Sequence, residues 1–218
     1  MKRTILKSMA ILLVMTSIVT NCLPVGAAAG TESFSDVPAT SWAYTYVEEA
    51  CVRGFISGVG GGRFAPEQEV TYAQFATMLV RGFFNSDYLA YGGVSEPWYI
   101  PFCEVASNMG IFDGTSCYKT ELGWDAASAP ISRYEMALMM YNTLKVRNVA
   151  MPSSSERQLS AQKIADHNQI PSHYTFVVEC MVALDTLSGI DSDGTFAGSE
   201  YMTRVQSAVV MCRLSTIF

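Results

Sequence analysis

Apolar residues recur at helical spacing along the chain, and the stretches that carry them come in pairs. Trp42, Tyr46, Val47 and Ala50 fall on one face of the first stretch, with Glu48 and Glu49 between them. Its partner carries Phe75, Met78, Leu79 and Phe83 on one face, and Met136, Met139, Met140 and Leu144 repeat that arrangement further on. Phe176, Val177, Met181 and Leu184 open the last pair. A spacing of three and four residues predicts amphipathic helices and not alternating strands. The methionines fit core filling better than cofactor ligation.

The pairs are parts of three internal repeats, which decide the architecture. Each begins with an opening segment, clearest as Ser35-Asp36 and Ala165-Asp166. A first helix, a glycine-marked exit (Gly54 to Gly58, Gly110 to Gly114) and a loop ending in Phe64, Trp124 or Phe196 follow. The second helix then opens with Thr71, Ser132 or Thr203. Thr71-x-x-Gln74, Ser132-x-x-Glu135 and Thr203-x-x-Gln206 predict capping boxes, each cap contributing about 1 kcal/mol. The expected fold is all-α, with helix–loop–helix repeats over 34–90, 94–147 (the most divergent) and 164–218. Residues 148–163 are polar and serine-rich and read as a linker. Asp36 and Asp166 recur at one repeat position, which favours a turn or cap role over paired catalytic acids.

Arg133 and Arg204 occupy the first helical position, where the helix dipole disfavours a cation by about 0.3–1 kcal/mol. Helix N-termini attract anions. Two arginines at equivalent positions are therefore expected to be exposed and to serve an anionic ligand.

Composition narrows the rest. Residues 1–29 read as a secretory signal: Lys2, Arg3 and Lys7, an apolar run from Met9 to Val19, and an Ala27-Ala28-Ala29 cleavage site. That run falls short of the ~20 residues of a membrane span. A lipoprotein signal ending at Cys22 is disfavoured by Asn21 immediately before it. Loss of this leader takes the net charge from −6 to about −9. Nucleic acid is excluded as a partner on that charge, and no polybasic patch suits an anionic membrane. Five cysteines follow the leader, none in C-x-x-C spacing. Cys51, Cys180 and Cys212 suit buried helical positions. Cys103 and Cys117 flank one loop and are the candidate disulfide. The loop from Gly189 to Glu200 imitates a calcium-binding loop but has glycine where the first aspartate ligand belongs. His167 and His173 have no nucleophile or metal-ligand partner. Neither an enzymatic activity, a metal nor a cofactor is expected.

The order F-S-D-V, W-A, V-x-x-A, G-x-I-x-G, G-R-F-x-P and V-T-x-A-Q in the first repeat resembles the S-layer homology domain. That family's Thr-Arg-Ala-Glu stretch has counterparts in Thr71-Tyr72-Ala73-Gln74, Ser132-Arg133-Tyr134-Glu135 and Thr203-Arg204-Val205-Gln206. The resemblance implies an all-helical, pseudo-threefold fold that binds cell-wall polysaccharide, often a pyruvylated secondary polymer, in grooves between repeats. It implies a secreted protein of the bacterial cell wall or S-layer. It carries ligand contact onto Arg133 and Arg204. Tyr72 departs from the family arginine, and Arg63 nearby is its candidate substitute. Trp98, Trp124 and Phe196 are the candidate sugar-stacking faces. The alternative function is a scaffold that has lost glycan binding and docks to another surface protein.

Overall fold

The computed structural model describes residues 34–85, 87, 97–121 and 123–218. The expected leader lies outside the described residues. Among those described, the helices are α1 (Tyr44–Val52), α2 (Tyr72–Phe83), α3 (Ile100–Asn108), α4 (Arg133–Val146), α5 (Ser154–Ala161), α6 (Ser172–Ala183) and α7 (Arg204–Leu214). One short antiparallel hairpin, β1 (Tyr118–Thr120) with β2 (Gly123–Asp125), interrupts them. The fold is all-α in class. α1 packs on α7, α2 on α3, and α6 on both α4 and α5.

The second helices begin where the hydroxyl caps predict. Thr71 Oγ1 accepts from the Gln74 N–H at 3.3 Å, and Gln74 Oε1 accepts from the Thr71 N–H at 3.1 Å. Thr203 and Gln206 repeat the box at 3.4 and 3.1 Å. Ser132 caps the Glu135 N–H at 3.3 Å, but the Glu135 carboxylate is spent elsewhere.

The residues just before the caps join the repeats into a ring. Val70 N–H donates to Met202 O at 2.8 Å, Met202 N–H to Ile131 O at 3.0 Å, and Ile131 N–H to Val70 O at 2.8 Å. Around this triangle each second helix gives its first two N–H groups to the next repeat's loop. Tyr72 and Ala73 donate to the carbonyls of Ala129 and Ala127, Arg133 and Tyr134 to Glu200 and Gly198, and Arg204 and Val205 to Gln68 and Pro66. Orphan helix donors that would otherwise need water are thereby satisfied inside the fold. Apolar burial fills the rest: Phe64, Phe75, Phe196, Leu79 and Met136 are fully buried.

The receiving loops share a strained residue. Ala65, Ala126 and Ala197 take φ of 57°, 57° and 52°, a region that costs an L-residue roughly 1–2 kcal/mol. In two repeats an aspartate holds this turn. Asp36 accepts from Phe64 N–H and Ala65 N–H, each at 2.8 Å. Asp166 accepts from Phe196 N–H at 2.7 Å and Ala197 N–H at 2.9 Å. The turn role expected of both aspartates is what they perform, and the Phe64 N–H foremost holds the Asp36 carboxyl below the usual range. Ala197→Gly should raise stability by about 0.5–1 kcal/mol, since glycine meets this φ without strain. A melting-temperature rise of a few degrees checks it.

Several expectations are corrected. The 148–163 segment holds α5, capped by a Ser153–Glu156 box and pinned to α6 by Arg157, whose guanidinium carbon lies 4.6 Å from the Phe176 ring centroid. Periodicity does not reveal this helix because its buried side is one serine wide. Trp42 is not a core residue: it lies in the turn before α1 and is 70 % exposed. Phe176 is exposed as well. Cys103 and Cys117, the candidate disulfide, are both buried and near enough for the Cys117 charge to act on Cys103, and burial foremost pushes both thiols up to about 12.

Candidate functional site

Arg133 and Arg204 sit at the first turns of α4 and α7 as the sequence predicts, but neither is exposed: they are 4 % and 6 % accessible. The expected exposure is therefore overturned. The reason is the next repeat's loop, which folds over each helix start. Arg133 donates from Nε to Phe196 O at 2.7 Å and from Nη2 to Ser188 O at 2.8 Å. Arg204 repeats this with Phe64 O at 2.8 Å and Ser57 O at 2.6 Å. Each guanidinium carbon lies 4.8 Å from the centroid of the aromatic ring ending that loop, Phe196 or Phe64. Loop carbonyls and a ring face thus offset the unfavourable dipole. Burial lowers both guanidinium pKa values, that of Arg133 to about 10, still cationic at neutral pH.

Beside Arg133 a cleft of about 250 Å³ remains open. Trp42 of the first repeat forms one wall, Arg133 of the second reaches it, and Ser188, Met202, Gln206 and Arg213 of the third complete it. Arg133 Nη1 meets the Met202 sulfur at 3.4 Å, a weak partner that leaves its charge directed at the cleft. Arg213 Nη1 lies 3.5 Å from Ser188 Oγ. No acidic side chain is among the described lining residues, although the charges of Glu200 and Asp166 reach Arg133. Two cations, an amide and an exposed indole around one hollow suit a hydrated anion carried on a sugar ring, because the indole supplies an apolar face and the cations supply donors.

The other predicted site residues scatter. Phe196 is fully buried under Arg133, so it offers no stacking face, contrary to expectation. Trp124 lies on β2, half-buried and tilted on Phe112 at 5.4 Å. Trp98 is half exposed and edge-on to Tyr99 and Phe102. Arg63 is exposed, 3.6 Å from Asp36. Tyr72 is buried at the α2 start, its hydroxyl pKa pushed up by burial and then by the Glu135 charge. Three residues of the cleft escape the sequence pattern. Trp42 reads as part of a helical face, Gln206 reads as a cap, and Arg213 carries no local signal.

A family model described as the S-layer homology domain matches residues 33–76. The chain is 28 % identical over 224 residues to an endoglucanase of Bacillus sp. (strain KSM-635), an alignment covering 97 % of this chain and 22 % of that protein. It is 24 % identical over 217 residues to the surface-layer 125 kDa protein of Lysinibacillus sphaericus, covering 89 % of this chain and 18 % of that one. It is 32 % identical over 93 residues to an S-layer protein of Bacillus thuringiensis subsp. finitimus, covering 41 % of this chain and 11 % of the relative. The chain therefore spans about a fifth of the length, or less, of the curated relatives it matches.

Proposed function

We propose, from the premise that this chain belongs to the S-layer homology family through residues 33–76, that it is a cell-surface anchoring module of the bacterial wall. Its surface-layer relatives agree with a secreted, cell-wall location. Wall polysaccharide is the partner, and the ligand is an anionic sugar, such as a pyruvylated residue of a secondary polymer. The observation that carries this reading is the cleft between repeats, where Arg133, Arg213 and the exposed Trp42 converge. Arg133 there has two roles: it ties the repeats together and lends its charge to the cleft. Arg213 and Trp42 hold no such structural position and are the groups to test. The endoglucanase relative does not extend enzymatic activity to this chain, because the alignment covers only 22 % of that protein. Among the described residues no helix is long and apolar enough to cross a membrane.

The test is a pull-down on purified sacculi before and after the secondary polymer is stripped. Stripping should abolish binding. Trp42→Ala and Arg213→Ala should each weaken it by about 10-fold, roughly 1.4 kcal/mol, with the melting temperature unchanged. Binding that survives both substitutions and stripping would instead favour docking to another surface protein.

A further inference from the structure

The three junctions of the ring are equivalent in backbone and unequal in charge. At two of them the first residue of the second helix is an arginine that donates to the next loop. At the third, where α2 meets the second repeat, that residue is Tyr72, 5 % exposed. Close to the Tyr72 hydroxyl lies Glu135, a buried carboxylate from the first turn of α4. Gln74 and Gln206, its counterparts, turn back to cap their own helices.

Glu135 is bonded as a ligand's carboxylate would be. It accepts from the Ser116 N–H at 3.0 Å, the Ser116 hydroxyl at 2.8 Å and the Tyr174 hydroxyl at 3.0 Å. Those donors come from the second and third repeats, while Tyr72 of the first lies within reach of its charge. Tyr174 is held over Tyr134 by a parallel stack with centroids 4.9 Å apart, which aims its hydroxyl at the carboxylate. An incoming anion would have to displace a covalently tethered one and would meet its charge in a low-dielectric setting.

We infer that Glu135 is a built-in anion that closes the Tyr72 junction to acidic ligands, while the Arg133 junction, with its open cleft, stays competent for glycan recognition. The inference rests on the anchoring reading and adds a specificity-determining residue to it. Glu135 sets which junctions are competent without touching the ligand.

Hydrogen exchange on the full chain, with and without a carboxylate-bearing oligosaccharide released from the wall polymer, tests it. In the wild type, protection is expected at 186–190, beside the Arg133 cleft, and none at 115–117. Glu135→Gln keeps the side chain's shape and removes the competing charge; it should add protection at 115–117, more so when combined with Tyr72→Arg. The thermal melt of each variant reports folding, and the isosteric Glu135→Gln decides the matter if the double variant melts early. Wild-type protection at 115–117, or none gained there by folded Glu135→Gln, overturns the inference alone. No protection anywhere in the wild type overturns the anchoring reading, and the inference falls with it.

Discussion

Arg204→Ala and Arg133→Ala should each lower stability by about 2–6 kcal/mol, roughly 1–3 kcal/mol for each of two buried loop carbonyls left without a donor. Each removal leaves two loop carbonyls without their donors: Phe64 O and Ser57 O in one case, Phe196 O and Ser188 O in the other. It also strips the cation from a fully buried ring. Urea unfolding should show the shift in midpoint. Lysine should not restore it, because one ammonium cannot reproduce the planar fork that spans two carbonyls. Arg63→Ala is the control: its pair with Asp36 is 3.6 Å long and its side chain is 65 % exposed, so the change should stay within about 0.5 kcal/mol. A folded, stable Arg204→Ala that has lost only wall binding would contradict the structural role of this guanidinium. Without this distinction, loss of wall binding in either variant would be misread as loss of a ligand contact.

The second large effect is expected at Gly194, where alanine should cost about 2–5 kcal/mol. Its φ is 86°, which costs an L-residue roughly 1–2 kcal/mol. The added methyl would also run into the Lys163 carbonyl oxygen, a backbone atom that cannot swing aside. Overpacking of that kind adds roughly 1–3 kcal/mol. The strain would fall on the loop closed by Ile190 N–H to Thr195 O at 2.8 Å, part of which lines the cleft. Gly61 is the matched comparison. Its φ is 60°, and a methyl added there would meet nothing within 4 Å, so Gly61→Ala should carry the backbone cost alone. Chemical denaturation of the two variants side by side checks the difference, and equal losses would show that the Lys163 contact is relieved by a loop shift.

Local features are legible in the chain alone. The 3.6-residue periodicity and the hydroxyl caps at Thr71, Ser132 and Thr203 place the second helices correctly, because both depend on residues within one turn of each other. The recurring Asp36 and Asp166 announce a turn, since each reaches a loop of its own repeat. The hairpin at Tyr118–Asp125 and the α5 helix are not legible, the first being short and the second almost without a buried face. Long-range packing settles the fate of every long side chain at a junction. The helix dipole calls for something negative beside Arg133 and Arg204, but whether that partner is a ligand or a carbonyl depends on loops that lie 55 or more residues away in the chain. The Glu135 carboxylate could cap its own helix or reach Ser116 and Tyr174. Three donors, two from Ser116 in the loop of its own repeat and one from Tyr174 of the third, outweigh the single N–H of the cap residue Ser132. Trp42 and Arg213 come to line one cleft only because α1 packs on α7, a contact between the first and last repeats that no local pattern encodes.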